Sequence, residues 1–473
     1  MALQWAAVGL KFQPVFQSPW RYVRLESDSM RDTTLSRSQE SRNVALYTLT
    51  NGLTYLSAPV VYVGIMQASL CNGFGSSDTV ANLPTSAFFL ATMLPIVVAW
   101  RFHTVSAVRP VLFASYSIMA VAGAIVAAVL YWPMPVWLRL ATVVVYGGMI
   151  GLGMGIRNVF IWEVVNRGMS PTGRGLAYSL AFGIGPLLAV AGSLGAQLLL
   201  TGEVDLPWIS SSSGIVMKTF SLAPLSFPLN FALLFGATVP ILGVAAALAG
   251  CFVLPPAMSE APRPPFVSSL ISVGSEIRQD RVLLFAVLAY LLVDAGFTIT
   301  NNMALYTSEA LGKPPEDFAG YQNALRFSFK MAGGLLLGWL LVRTHAKMGM
   351  LVTGGLVLAG IAWVLLTPNN AWFLICFGLM GAGELYGVYY PNYLMNRSHP
   401  DRVRHHMALL QLLSLATALV PAGFGAISDE FGLHASFVVA AGVVGASLAL
   451  IAFGLPSNPR LESHRRWPAE ESG

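Results

Sequence analysis

The sequence predicts an all-α integral membrane protein with twelve transmembrane helices in two six-helix bundles. Three observations carry that expectation. The 473-residue chain is 55% hydrophobic and only 10% charged, with a mean hydropathy of +0.65, whereas soluble domains carry roughly 25% charged residues. Twelve apolar segments reach the roughly 20 residues that a helix needs to cross hydrocarbon. Of the 27 Lys and Arg residues, 21 fall in the tails and in the connections expected on the same side, three on the opposite side, and three within segments. That asymmetry follows the positive-inside rule and predicts both termini in the cytoplasm.

In chain order, the first segment (43–70) is polar, with Asn51 and Tyr55 one turn apart. The second (80–100) and third (110–132) flank a short connection bearing Arg101 and Arg109. The fourth (136–164) contains Arg157 and, near its inner end, Glu163. The fifth (175–200) contains Gly185-Pro186, and the sixth (229–254) carries no charge. Pro255-Pro256 and Pro262-Arg263-Pro264-Pro265 then mark a linker. The seventh segment (283–308) holds Asp294, followed at steps of four and three by Thr298 and Asn301, with Asn302 next. The eighth (321–342) holds Arg326 and Lys330 at i, i+4, so both project from one face. The ninth (349–368) and twelfth (435–455), like the third and sixth, contain no Asp, Glu, Lys or Arg. The tenth (371–395) holds Glu384 and the tyrosines 386, 389, 390 and 393 around Pro391, an expected kink and gate. The eleventh (407–427) runs into Gly425–Gly432, which the topology places outside.

The expected organisation is an N-terminal cytoplasmic tail (1–42), a first bundle (43–254), a cytoplasmic linker (255–282), a second bundle (283–456) and a C-terminal tail (457–473). Residues 1–29 read as an upstream extension, because Met30 gives a conventional short tail. The halves share a local repeat. Gly151, Gly153, Asn166, Arg167 and Arg174 match Gly381, Gly383, Asn396, Arg397 and Arg404 at a constant offset of 230. The matched helices hold the same rank in each half, as a parallel duplication requires.

Architecture and loops together resemble the major facilitator superfamily. The connection after the eighth segment, Gly338-Trp-Leu-Leu-Val-Arg343-Thr-His-Ala-Lys347, is similar to the family's inner-loop signature at Gly338, Leu340 and Arg343. Val342 and His345 replace its Asp and second Gly. Gly425–Gly432 resembles the same signature, and Arg157 resembles the family's basic residue on the fourth helix. Gly185-Pro186 resembles the exporter signature but lacks its flanking glycines. The resemblance implies that helices one, four, seven and ten line a central cavity, with two, five, eight and eleven beside them. It also implies that Gly338 and Arg343 take part in inner-side gating. The six internal charges, Arg157, Glu163, Asp294, Arg326, Lys330 and Glu384, all fall on the fourth, seventh, eighth and tenth segments.

Charge at membrane depth marks solute and ion paths. Asp294, Lys330 and Glu384 lie near mid-membrane, while Glu163 reads as a solvated helix end. Asp294 and Glu384 are the candidate proton carriers. Arg326, Lys330, Arg157, Asn301, Asn302, Tyr386, Tyr390, Asn51 and Tyr55 are candidates for the solute cavity. A plain alternative has Asp294 pairing with Lys330 or Arg326 to fasten the seventh helix to the eighth, and the amides as interhelical glue. The expected function is secondary transport of a small polar or amphipathic solute by alternating access, coupled to protons, with import favoured over efflux. A drug or metabolite efflux antiporter and a non-transporting receptor or assembly factor are the alternatives.

No enzymatic activity is expected, since no nucleophile, metal set or acid–base pair gathers at one interface. His399, His405 and His406 occupy a basic loop without a matching Cys or acidic cluster, so no metal is expected. There is no phosphate-binding loop and no cofactor is expected beyond a proton or other ion gradient. Cys71, in the first outer connection, and Cys251 and Cys376, within spans, provide no disulfide framework. The net charge of +5 reflects topology rather than nucleic-acid binding. The expected partners are the solute and the lipid bilayer, with the chain acting as a monomer in the plasma (cell inner) membrane.

Overall fold

The computed structural model describes residues 35–102, 104–210, 214–255, 275, 277–397 and 415–457. The expectations for residues 1–34, most of the proline-rich linker, His399, Arg402, Arg404, His405 and His406, and the last sixteen residues lie outside the described residues.

Each of the twelve expected segments holds helix. The first is broken into α1 (Arg37–Leu56), α2 (Ala58–Val61) and α3 (Ile65–Gly73). Ser36 and Gln39 start α1 with a reciprocal capping box, which satisfies two otherwise orphaned N–H groups. The second segment forms α4 (Asp78–Ala91) and α5 (Pro95–Arg101), parting just before Pro95. Then come α6 (Val108–Tyr131), α7 (Val136–Gly168), α8 (Pro171–Thr201) and α9 (Leu229–Ala249). The second half contains α10 (Arg281–Phe297), α11 (Thr300–Leu305) and α12 (Thr307–Leu311), followed by the long α13 (Ala319–Arg343) and α14 (Ala346–Leu366). It ends with α15 (Ile375–Gly383), α16 (Tyr386–Arg397), α17 (Val420–Phe431) and α18 (Leu433–Gly454). Eight helical stretches among the described residues are long and apolar enough to cross a membrane unbroken.

The membrane part is helical as expected, with one addition outside it. Strands β1 (Glu203–Ser210) and β2 (Gly214–Ser221) form an antiparallel hairpin between α8 and α9, with Glu203 opposite Ser221. The alternation Glu-Val-Asp-Leu in β1 has the period of a strand. Thr219 Oγ1 donates to Asp205 Oδ1 across the ladder at 2.6 Å.

Packing is duplicated between the halves. The α4–α7, α6–α7, α6–α9 and α1–α9 contacts recur as α13–α15, α14–α15, α14–α18 and α10–α18. The repeated glycines explain part of this. A Cβ at Gly151 would collide with the Phe88 backbone on α4, and one at Gly381 would collide with the Arg326 backbone on α13. Gly153 and Gly383 likewise face Met119 on α6 and Val357 on α14. Of the repeated arginines, Arg397 pairs with Asp280, the N-cap of α10, at 2.8 Å.

The cysteine expectations are corrected. Cys71 is buried at the end of α3, because the first segment runs further as helix than its polarity indicated. Cys251 is exposed just beyond α9, which ends at Ala249.

The halves meet mainly at the end of the bundle that bears the hairpin. There α3, α4 and α8 touch α11, α13, α17 and the turn at Pro315–Asp317. Helices α5 and α16 reach the opposite end and make no comparable contact with the other half among the described residues.

Candidate functional site

The tenth segment breaks at Glu384–Leu385, between α15 and α16, rather than at Pro391, which lies within α16. Glu384 at this break meets two cations from α13. Its Oε2 accepts from Arg326 Nε at 2.9 Å and its Oε1 from Lys330 Nζ at 2.8 Å. The three side chains are 14%, 9% and 16% exposed, respectively. Buried ion pairs survive only with good geometry, since desolvation opposes them. Here the one-turn spacing on α13 delivers one donor to each carboxylate oxygen. Gly381 permits the close approach of α15 that brings them together.

Aromatic rings complete the surroundings. The Arg326 guanidinium lies 5.4 Å from the Phe297 ring centroid, and Lys330 Nζ lies 5.7 Å from that of Tyr62. Tyr62 stacks beside Tyr55 at 6.1 Å and meets Phe327 edge-on at 5.4 Å. Tyr55, Ala58, Ala189 and Phe327 form an apolar cluster separate from the main core, with Tyr62, Leu188 and Val190 against it.

Asp294 does not join the ionic group, which corrects both the pairing alternative and its place beside Lys330. Its Oδ1 accepts from the Tyr386 hydroxyl at 2.6 Å and its Oδ2 from Thr417 Oγ1 at 2.9 Å. Phe297 stands between, 5.4 Å from the Tyr386 ring on one side and in contact with Arg326 on the other. Tyr386 is therefore the member of the tyrosine stripe nearest the carboxylates. Tyr390 is fully buried beside Tyr290 and Gly354, a core position rather than the expected cavity one. Tyr389 packs on Gly349, and the Tyr393 hydroxyl donates to the Pro456 carbonyl.

Arg157 is 8% exposed and has only neutral acceptors among the described residues. Its Nε donates to the Tyr116 hydroxyl at 2.8 Å, its Nη1 to Asn158 Oδ1 at 3.2 Å and its Nη2 to Asn51 Oδ1. Asn51 is oriented by its own bond to the Tyr47 carbonyl. Asn51 lies one turn before Tyr55 on α1, and Tyr55 stacks beside Tyr62, so Arg157 sits close to the aromatic cluster. Glu163 instead pairs with Arg167 at 2.6 Å, with both side chains partly exposed, as a helix-end charge is.

Asn301 and Asn302 belong to the seal between the halves, not to the ionic group, because the chain breaks at Thr298–Ile299 and turns them toward α4. Asn82 Nδ2 donates to Asn302 Oδ1 at 2.7 Å, and Asn301 Nδ2 donates to Asn82 Oδ1 at 3.0 Å. Asn301 also donates to Thr85, and Asn302 to Ser428 and Ser436. Gln197 on α8 bridges to the Asp317 carbonyl and the Gly320 N–H. The sequence reading missed Asn82 and Gln197. Both are neutral amides in apolar segments, a weaker signal than charge but a readable one.

Asp429 adds a cap across the halves. It accepts from the Asp78 and Thr79 N–H groups at 2.7 and 3.0 Å, at the N-terminus of α4. This places Gly425–Gly432 at the hairpin end. Burial opposes ionisation of Asp429, but bonds from Thr79 and Asp78 hold its carboxyl below the usual aspartate value. Burial, then the charges of Asp429 and Glu309, push Asp78 up to about 6. Gly338 and Arg343 lie in the last turns of α13, at the end opposite this seal.

Residues 286–471 match the family model described as Major Facilitator Superfamily. No curated protein matches the chain. Among solved structures, the nucleoside transporter NupG aligns at 11% identity with a TM-score of 0.64, covering 87% of this chain and 99% of that one. A D-xylose-proton symporter aligns at 13% and 0.57, covering 89% and 98%. The E. coli fucose:proton symporter FucP aligns at 15% and 0.54, covering 88% and 98%.

Proposed function

We propose that the chain is a transporter of the major facilitator type that imports a small polar or amphipathic solute by alternating access, with protons coupled at Glu384; the family match over residues 286–471 and the similar solved structures support this reading. The observation that carries this reading is the Arg326–Glu384–Lys330 group at a helix break. Broken helices at mid-membrane are where transporters of this architecture hold solute and coupling ion. A buried carboxylate deprived of its cations takes up a proton, and one that regains them releases it. Movement of α13 against α15 would switch Glu384 between those conditions. Asp294, held by Tyr386 and Thr417, is the second carboxylate available to carry a proton.

Two of the similar solved structures are proton symporters of sugars and one is a nucleoside transporter, which supports proton coupling and a polar solute. With the basic connections in the cytoplasm, the seal of Asn82, Asn301, Asn302 and Asp429 faces outward, and this conformation is the inward-facing one. In proteoliposomes, a solute that drives proton entry in the wild type should drive none in Glu384→Gln, while solute counterflow persists. Proton entry unchanged from the wild type in both Glu384→Gln and Asp294→Asn would reject carboxylate coupling at this group.

A further inference from the structure

We propose that the solute is an organic anion, its carboxylate or phosphate held by Arg157 and Lys330 and its flat or apolar body laid against Tyr62. The proposal rests on the transporter reading above and names the chemistry of its solute.

The charges are unequally paired. Away from the ends of the twelve segments, where Arg139 lies, the acids are Asp294 and Glu384, with Glu163 nearer an end, against the cations Arg157, Arg326 and Lys330. Glu163 is spent on Arg167 at the helix end, and Asp294 is enclosed by two hydroxyls behind Phe297. Glu384 alone faces both α13 cations, and Arg157 faces no carboxylate among the described residues. A guanidinium has five N–H donors, and Arg157 commits three bonds, all to uncharged oxygens. A buried charge held only by neutral dipoles is costly unless a counter-charge joins it. The planar fork with unused donors is the geometry that takes a carboxylate or phosphate in two bonds.

The second observation fixes the body of the solute. Tyr62 is half-buried, Lys330 Nζ hangs 5.7 Å from its ring, and the ring stacks beside Tyr55, one helical turn after the Asn51 that holds Arg157. Tyr55, Phe327 and Ala189 brace that ring from behind, and Leu188 and Val190 extend the apolar wall. An anion between Arg157 and Lys330 would lie against this wall. Arrival of its charge would also compete with Glu384 for Lys330, which ties solute binding to protonation.

The test is equilibrium binding to the purified full chain, read as thermal stabilisation and by calorimetry. The probes are benzoate, phenyl phosphate, acetate and uncharged benzamide. Benzoate or phenyl phosphate should stabilise the wild type, acetate should bind at least ten-fold more weakly, and benzamide should not bind. Arg157→Gln should weaken the bound anion at least ten-fold, while Arg157→Lys retains part of the affinity. Should Arg157→Gln fail to fold, Lys330→Gln and Tyr62→Ala carry the test, each predicted to weaken the same anion. Benzoate against phenyl phosphate separates carboxylate from phosphate. Binding of neither anion, or binding unaltered in folded Arg157→Gln, overturns the anion assignment, even if a neutral sugar or nucleoside is transported. Anion binding at Arg157 without flux in proteoliposomes upholds this assignment and instead overturns the transporter reading.

Discussion

At the scale of single residues, Glu384 holds two positive charges at once, so removing either cation leaves one ion pair, whereas removing Glu384 leaves two cations uncompensated. Breaking a buried pair by deleting one partner costs about 3–5 kcal/mol. Partial exposure of Glu384 and Lys330 moves this case to the lower end. Glu384→Gln should therefore lower stability by about 3 kcal/mol, measured by chemical denaturation in detergent. The double variant Lys330→Met/Glu384→Gln should recover part of that loss, because it leaves one cation against a neutral acceptor rather than two. Additive losses would mean that the three do not interact. Asp294 was readable as a buried charge, but its partners were not. Thr417 and Tyr386 carry no sequence mark that sets them apart from other hydroxyls in the spans, and their choice follows from how α10 meets α16.

At the scale of elements, two contacts make distinct predictions. Gly381 lets α15 rest on the backbone of Arg326, as Gly151 lets α7 rest on that of Phe88. Gly381→Val should push α15 from α13 and weaken the Glu384 pairs, so it should reduce coupled proton flux as well as stability. Gly151→Val should lower stability while leaving coupling ratio unchanged, since no ionic group lies at that contact. The second contact is the cap that Asp429 places on α4. Replacing a capping side chain by alanine costs about 0.5–2 kcal/mol. Asp429→Ala should shift the halves away from the sealed state by that amount. Asp78 adds a pH dependence. Its carboxyl is raised from 3.8 to about 6 in the sealed state, so the sealed state binds its proton more tightly than the opened one. The stabilisation is complete below about 3.8 and is lost as pH rises through about 6. The sealed fraction should thus be larger at about pH 5 than at neutrality, and Asp78→Asn should abolish the difference. Asp429, held low, stays ionised across that interval.

At the scale of the whole molecule, the helical membrane fold was legible because hydropathy and charge asymmetry act over long windows. The internal offset of 230 was legible too, and the glycines that carried it make equivalent helix contacts in both halves. The hairpin at Glu203–Ser221 was not read, because a search for long apolar segments passes over a period of two. The partners of each buried charge were not legible either. A sequence places Arg326, Lys330 and Glu384 at similar depth, but only helix rotation and close approach decide which cation meets which carboxylate. Nor did it show that Asn301 and Asn302 seal the halves, since polar glue and solute ligands use the same residue types. The seal at one end, with no comparable contact at the other among the described residues, is the arrangement from which the two halves would rock. Spin labels at Ser76 and Glu430 would report the hairpin end, and labels at Phe102 and His345 the opposite end. Addition of a transported solute should lengthen the first distance in a fraction of molecules while shortening the second. Two distances that stay fixed, or that change in the same sense, would contradict alternating access.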